Sequence, residues 1–578
     1  MTKRCTFIKL SVAFVVLVWS ISCQNDPEKI TENSPERPNI LWLVAEDLSP
    51  YIAEFGDSTV QTPNLSRLAA EGVRYTNVYS VSGVCAPSRA AITTGMYPSS
   101  IGAHNMRTLS QEPAAQKKGI INYECVPPSS VKMVSEIMRA NGYYCTNNSK
   151  EDYQFYSSKM AWDESSIHAH WRNRPEGKPF YAVFNFGVTH ESNTWNPYGR
   201  PYDLDVFPPE RGGDGWWKQF KGKKKPLFVD ENLAVDVPPY LPNTEIVRKD
   251  IRRMYSNIVE MDRHVGVVLD QLEADGLLEN TIIVWYTDHG GPLPRQKRLL
   301  YDSGLQVPMI IRYPNKSKAG EVDDRLISFV DFAPTLLSMA NIAPESYMQG
   351  QSFEGVYESK TDRTYIHAAA DRFDACYDMI RAVRDNRFKY LQNFQPDRPY
   401  YLPLEYRENM ASMQELLRMR DEGTLNEVQM QWFRPHKPKE ELFDTKNDPH
   451  ELNDLADDPQ YADKLVELRT ECERWMGQIN DKGFIPEEQL IRQFWPGKVQ
   501  PITETPSVKI ENGKMSITCS TEGASIGYKL SEDDKPWLGW RIYNNPVEIP
   551  GGKKVKVIAH RIGYMPSAKA ILRLQNGK

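Results

Sequence analysis

Short, unbroken apolar runs alternate along the chain with longer stretches of helical periodicity. The first run is Asn39-Ile-Leu-Trp-Leu-Val44, and Tyr181 to Phe186, Thr281 to Tyr286 and Pro308 to Arg312 repeat it. Apolar runs of this length, without alternation, suit strands buried on both faces. The clearest amphipathic helix between them puts Ile251, Met254, Tyr255, Ile258, Met261, Val265, Val268, Leu269 and Leu272 on one stripe, with Thr244 as N-cap and Gly276 as stop. Buried strands alternating with such helices predict an α/β fold around a large sheet of mainly parallel strands. Residues 190–245, rich in Pro, Gly and Trp, predict a long ordered excursion on the rim of that sheet. Beyond a linker from Pro496 to Pro506 the pattern changes. Val508 to Ile510 and Met515 to Cys519 alternate around Asn512-Gly513, a strong hairpin signal, and Val555 to Ile558 and Ala570 to Leu574 continue as short strands. Residues 505–577 thus read as a separate small β-sandwich, with Trp537, Trp540 and Tyr543 as its core rather than as sugar platforms.

A length of 578 residues suggests two to four domains, and 40% hydrophobic with 25% charged residues is an ordinary globular balance. Formal charge is -6, and beyond residue 22 the chain holds 67 basic against 76 acidic residues. That balance argues against a nucleic-acid partner, which calls for a basic footprint. Eight cysteines, at 5, 23, 85, 125, 145, 376, 472 and 519, are too few and too scattered for a disulfide scaffold or a paired-cysteine zinc site.

The N-terminus carries an address. Lys3, Arg4 and Lys9 precede an apolar run from Leu10 to Trp19, the length of a signal-peptide core and too short to span a bilayer. Ser20-Ile-Ser-Cys23 follows and resembles a bacterial lipobox, although position 20 lacks the usual leucine. The expectation is a signal peptide over 1–22, lipidation at Cys23 and a polar tether over 23–36, giving an exported lipoprotein in the periplasm or on the outer cell surface. Membrane contact would then run only through the lipid; the other reading is an ordinary signal peptide with an unrelated Cys23.

Chemistry concentrates at Cys85-Ala-Pro-Ser-Arg89, followed by Ala90-Ala-Ile-Thr-Thr-Gly95. A cysteine in a small, polar, proline-bearing loop beside an arginine is not in a core environment. The segment resembles the signature of the formylglycine-dependent (type I) sulfatase family, Cys-x-Pro-Ser-Arg with a downstream Thr-x-Gly element. The resemblance implies that a separate maturation enzyme oxidises Cys85 to formylglycine. A hydrated aldehyde offers one hydroxyl to attack sulfur and a second whose deprotonation expels the sulfate, which a thiol cannot do. Such a nucleophile needs a cation, and two acidic pairs follow apolar strands: Glu46-Asp47 and Asp288-His289. An oxygen-rich set suits calcium or magnesium better than zinc. The expected calcium ligands are Asp47, Asp288, His289, residue 85 and, less directly, Glu46, where the family usually has aspartate.

The resemblance also places Arg89 against the formylglycine, Lys150 in Asn147-Asn-Ser-Lys150, and Lys297 in Lys297-Arg-Leu-Leu-Tyr-Asp-Ser-Gly304 as cations meeting the sulfate. Many relatives carry Lys-Trp-His at the second of these; here it is Lys150-Glu-Asp152, with Asp152 as a stand-in for the histidine. His190 follows an apolar strand and is the expected general acid. His104, Arg107, Asp371, Arg372 and Asp374 are the expected sugar-binding groups, whereas Lys221, Lys223, Lys224 and Lys225 read as a solvated run.

Farther on, Glu441-Leu-Phe-Asp444, Asp448-Pro-His-Glu451 and Asn453-Asp-Leu455 resemble the sulfatase C-terminal subdomain element, so the likeness spans about residues 37–485. Trp171-Arg-Asn-Arg174, Pro239-Tyr-Leu-Pro242 and Asp262-Arg-His-Val-Gly266 are most similar to the heparan N-sulfatase branch, and the tail module resembles the small β-sandwich of chitobiases and hexosaminidases. The implied architecture is an alkaline-phosphatase-like sulfatase fold with a catalytic domain over 37–355, a smaller α+β subdomain over 356–495 and the appended sandwich. The implied function is removal of sulfate, O- or N-linked, from chain ends of a sulfated glycan. A phosphodiesterase or phosphonate monoester hydrolase of the same fold, and an inactive glycan-binding surface protein, are the alternatives.

Overall fold

In the computed structural model the described residues are 37–106, 117, 121–196, 226–531 and 539–573. The expectations for the signal peptide, the tether, Cys23, Arg107, the lysine run at 221–225 and Trp537 lie outside them, as does residues 197–225 of the rim excursion.

Every residue of the first strand is buried, as an uninterrupted apolar run requires when both faces of a sheet are covered. The main sheet comprises β1 (Asn39–Ala45), β2 (Val73–Tyr79), β3 (Tyr144–Asn148), β4 (Glu164–Ser165), β5 (Phe180–Phe186), β6 (Thr281–Thr287), β7 (Gln306–Arg312), β8 (Val322–Asp323) and β9 (Ile327–Ser328). Its order is β4-β3-β5-β1-β6-β7-β2-β8, with β9 also beside β2. Strands β4, β3, β5, β1 and β6 run parallel, and β7 lies antiparallel to both β6 and β2. The sheet is therefore mixed and mainly parallel, and the carboxyl ends of β3, β5, β1, β6 and β2 share one edge.

Two apolar layers cover it. The helix Glu245–Ala274 lies on one face, capped by the Thr244 hydroxyl accepting from the Val247 N–H, and its predicted stripe is buried throughout. Gly276, with φ of +68°, follows that helix where an L side chain would be strained. The other face is covered by the wholly buried helix Cys85–Thr94 and by Phe332–Met339.

A second, antiparallel sheet of β10 (Ile366–Ala370), β11 (Ile380–Arg384), β12 (Phe388–Asn393) and β13 (Glu440–Asp444) packs against the helix Ala462–Gln478. Buried ion pairs fasten it to the main body: Arg384 and Lys389 both meet Asp302, and Lys389 also meets Glu451.

The tail forms two facing sheets. One is β14 (Ser507–Glu511), β15 (Lys514–Thr518) and β18 (Val547–Glu548); the other is β16 (Ser525–Leu530), β17 (Arg541–Ile542), β19 (Lys554–His560) and β20 (Ala570–Arg573). Met515, Ile517, Tyr528, Leu530, Val555 and Val557 fill the space between them. The β14–β15 turn uses positive φ at Asn512 and Gly513, as a type I′ hairpin requires. Tyr543 packs on this core and ties the two sheets together: its N–H donates to the Ile526 carbonyl at 2.9 Å, and its hydroxyl accepts the Ile517 N–H. Trp540 is half-buried, with Lys529 and Lys569 over its ring.

Periodicity alone separates this module from the body, but the two are packed together. Lys132 donates to the Gly523 carbonyl, Arg139 to that of Trp540, and Arg561 of the module to that of Pro127. At the same junction the Lys159 N–H donates to His560 Nδ1 at 2.9 Å, and His560 Nε2 reaches the Tyr564 carbonyl at 2.8 Å. Both bonds need a neutral ring protonated on Nε2. Burial pushes the His560 pKa down to about 4, against the Tyr564 carbonyl, which favours the charged form. A depressed pKa means the unfolded chain takes up the proton first. The contribution is complete above about pH 6.5 and is lost as pH falls toward about 4, amounting to up to about 3 kcal/mol. Denaturant unfolding at a series of pH values should show His560→Gln flattening the slope of stability between those limits. An unchanged slope would mean that this junction does not sense acid.

Candidate active site

The shared edge brings chain segments together by strand direction alone. Glu46 and Asp47 follow β1, Asp288 and His289 follow β6, Lys150 follows β3, and His190 follows β5. Cys85 enters from the loop after β2 as the first residue of its helix, whose N-terminal end carries partial positive charge. That loop touches the Lys297 loop so closely that only glycine fits at residue 83. A Cβ there would lie 2.5 Å from the Leu299 carbonyl oxygen, and the Arg298 N–H donates to the Gly83 carbonyl at 2.8 Å.

Asp47 and Asp288 are fully buried, and Asp47 takes a left-handed backbone with φ of +49°. A non-glycine residue in that region marks a site where tertiary structure over-rides local preference. The Asp47 N–H donates to Asp288 Oδ1 at 3.1 Å, while Asp47 Oδ2 accepts from Lys297 Nζ at 2.6 Å and from the Glu191 N–H at 2.7 Å. Arg89 donates through Nε to Asp288 Oδ2 at 3.0 Å and through Nη1 to Asn185 Oδ1 at 2.7 Å. Burial alone would raise the Asp47 pKa; Lys297, His190 and His289 together hold it well below the carboxylate range.

Ligand atoms of Asp47, Cys85, Asp288 and His289 all lie within 4.8 Å of one another. Asp47 Oδ1 and His289 Nε2 face each other at 3.0 Å, buried, and neither has a well-aligned hydrogen-bond partner. Converging donors left unsatisfied in a dry pocket fit a cation held among them. Against burial, Asp288 and Asp47 draw the His289 pKa up to about 10. Glu46 stands apart from that set and groups instead with Asp47 and His190. One of its oxygens accepts Lys150 Nζ at 2.7 Å, and the other is 3.9 Å from Arg89.

Burial pushes the Cys85 thiol up, but Lys297 and Lys150, with hydrogen bonds to His190 and His289, bring it down to about 6. Lys297 Nζ is 3.3 Å from His190 Nε2, whose other ring nitrogen pairs with the Ser192 hydroxyl at 2.9 Å. Arg89, Lys150, His190 and Lys297 are thereby all within one cluster around residue 85. Asp152 is half-buried and bears on Lys150 only through its charge; the side-chain partner of Lys150 is Glu46.

Beyond the predicted set lies a second layer. Glu191 is wholly buried, accepts both outer nitrogens of Arg298 at 3.0 and 2.7 Å, and lies 3.2 Å from Lys297 Nζ. Arg298 continues to Asp374 at 3.3 Å. Asn185 had one legible signal, a polar residue interrupting an apolar strand; Glu191 and Arg298 had none beyond adjacency to His190 and Lys297.

The expected sugar-binding groups fare differently. Arg372 has no exposed side-chain surface and grips Glu487 through two nitrogens, and Asp374 is spent on Arg298. Both thus sit in buried ion pairs, where polar groups after a short strand are met by charges from segments about a hundred and about seventy residues away. Asp371 pairs with Arg381, itself held by Asp481. His104 is buried near that pair with Nδ1 lacking a partner, and burial pushes its pKa down.

The family model described as Sulfatase matches residues 38–342, and that described as N-sulphoglucosamine sulphohydrolase, C-terminal, matches residues 295–431. The chain is 55% identical to an ulvan-active sulfatase of Formosa agariphila over 97% of both sequences. Among solved structures it is similar to one described in complex with its substrate D-glucosamine-2-N,6-O-disulfate, with a TM-score of 0.53, 20% identity, and coverage of 78% of this chain and 100% of that one. A phosphonate monoester hydrolase from Silicibacter pomeroyi shares the fold at a TM-score of 0.50 and 16% identity, covering 78% of this chain and 97% of that one.

Glu191 and Arg298 should behave as one unit. Removing either charge strands its partner in the interior, a loss of about 3–5 kcal/mol. Glu191→Gln and Arg298→Met, measured singly and together by denaturant unfolding, should give a double variant much less destabilised than the sum. Simple additivity would show that the pair is not coupled.

Proposed function

The chain belongs to the sulfatase family and is a sulfuric ester hydrolase, and we propose that it removes sulfate from a glycan with residue 85 in its formylglycine form and one calcium ion beside it. The observation carrying this reading is the buried convergence of Asp47, Cys85, Asp288 and His289 within 4.8 Å, with Lys297 against Asp47. Asp47, Asp288, His289 and one oxygen of residue 85 would hold the calcium, with Glu46 behind them, and the ion would supply positive charge for the sulfate oxygens. Oxidation of Cys85 by a maturation enzyme, with loss of its sulfur, would give an aldehyde, and addition of water to that aldehyde would supply one hydroxyl able to attack the sulfate sulfur and a second whose deprotonation releases the sulfate afterwards.

The other roles belong to side chains in place. Lys297, buried, and Lys150, half-buried, present fixed ammonium groups to the negative charge of the transferring sulfate. His190, hydrogen-bonded at Nδ1 to Ser192, directs Nε2 toward residue 85 and gives its proton to the leaving oxygen. Arg89 locks the Asp288 carboxylate in place. For substrate, the name of the full-length relative supports ulvan as the first glycan to test, and the N-sulphoglucosamine sulphohydrolase C-terminal match supports amino-sugar sulfates next. We place attack at chain ends, in keeping with the Pro-, Gly- and Trp-rich excursion over residues 190–245 that the sequence predicts on the rim.

Peptide mass spectrometry of enzyme from its native host should find residue 85 as formylglycine, and Cys85→Ala should abolish turnover. Chelation should stop hydrolysis and calcium restore it, and Lys297→Ala should lower kcat by roughly 10² to 10³. Unmodified cysteine in active enzyme, or full activity after thorough chelation, would overturn the assignment. Faster turnover of phosphate or phosphonate esters than of sulfates would favour the phosphonate hydrolase reading.

The proposed location is the cell envelope, through lipid on Cys23, supported by the basic, apolar and small-residue order of residues 1–23. No helix among the described residues is long and apolar enough to cross a membrane. Fractionation should place the native chain with membranes and Cys23→Ala outside them; identical partitioning would exclude the lipid.

A further inference from the structure

Two aromatic side chains from segments far apart in sequence meet beside His190. Trp195 ends the short 3-10 turn Glu191–Thr194 that starts at His190. Tyr406 belongs to the segment entering the helix Ala411–Asp421. The Tyr406 ring lies 6.4 Å from that of His190 and 5.4 Å from that of Trp195, edge to face with the latter. All three are only half-buried, whereas the catalytic carboxylates below them are closed off from solvent.

The segment carrying Tyr406 is anchored at the next residue. Arg407 is buried, donates to the Leu402 carbonyl at 2.7 Å and lies over the rings of Tyr401 and Trp432. Its charge adjoins those of Arg298 and Glu191, the second layer of the site. The following helix is pinned to the long helix of the main body, where the Ser412 N–H donates to the buried Asp250 carboxylate at 2.6 Å.

We infer that Trp195 and Tyr406 form an aromatic wall that seats the saccharide from which sulfate is removed. The inference rests on the proposed function, because His190 there protonates the leaving oxygen. A general acid must lie within hydrogen-bond reach of that oxygen, so whatever stands beside it on the solvent side meets the leaving sugar. Rigid aromatic faces with few rotatable bonds suit the apolar C–H face of a pyranose, and ligand sites commonly pair such faces with a few polar groups. Among the described residues Arg372 and Asp374 are engaged in ion pairs, and the geometry assigns Trp195 and Tyr406 as a sugar-facing surface beside His190.

The test compares Trp195→Ala, Tyr406→Ala and Tyr406→Phe on two kinds of substrate: the best-cleaved member of a panel of ulvan, heparin and chondroitin oligosaccharides, and a small aryl sulfate. Loss of a stacking face should lower kcat/KM for the saccharide by about tenfold in each alanine variant, about one anchoring contact. Aryl sulfate turnover should stay within about threefold, and Tyr406→Phe should resemble the parent on both, since the face and not the hydroxyl carries the contact. Equal losses on both substrates in variants with an unchanged thermal midpoint would make the pair merely structural and overturn the wall, as would no loss on either. If the parent cleaves the aryl sulfate but no saccharide, the glycan reading falls and the wall with it; if the parent cleaves saccharides and the variants do too, the wall alone falls.

Discussion

Two carboxylates, Asp47 and Asp288, sit side by side with no solvent exposure, and much of the molecule is arranged around the cost of keeping them there. Moving one charge from water into a protein interior costs several kcal/mol even after relaxation, and two like charges add their repulsion. The fold meets that demand with Lys297 on Asp47, Arg89 on Asp288 and His289 facing both. The same balance explains why an unmodified Cys85 in this pocket titrates well below an ordinary thiol. A field strong enough to do that also suits the negative charge borne by the oxygens of a sulfate ester.

Such a balance could not be assembled locally. It draws on the ends of four adjacent parallel strands and a helix entering beside them, which is the usual location of ligand sites in open α/β sheets. Parallel strands place every carboxyl end on one edge, so side chains 46, 150, 190 and 288 meet although the chain between them runs through more than two hundred residues. Behind them the charge pattern continues through Glu191 and Arg298 to Asp374, and the neighbouring Arg372 and Asp371 are paired in turn with Glu487 and with Arg381, itself held by Asp481. Residues beside the second sheet are thereby linked to the site by ion pairs, and the Tyr406 ring lies 6.4 Å from that of His190.

Fold likeness alone says little about which ester is cleaved, since a phosphonate monoester hydrolase shares this architecture at low identity. The match over nearly the whole length to a sulfatase is what separates the two. The tail sandwich fits the same picture of long-range attachment: it is docked through backbone carbonyls offered to Lys132 and Arg139, and a neutral histidine at the seam makes the junction dependent on the protonation of one ring.

By itself the sequence determined the strands whose two faces are buried, the long helix with its cap and stop, and the Asn512-Gly513 hairpin, and it singled out Cys85, Asp47, Asp288, Lys150, Lys297 and His190, which the structure brings together. These follow from local periodicity and turn chemistry, or from a motif compact enough to read in one glance. What only the tertiary structure decided was which charges pair. Arg372 and Asp374 looked like sugar contacts because their partners, Glu487 and Arg298, are about a hundred and about seventy residues distant, and Glu191 carried no mark to separate it from a surface acid. A side chain's role in a dry pocket depends on what faces it, and facing is set by strand order and direction, which no stretch of sequence contains.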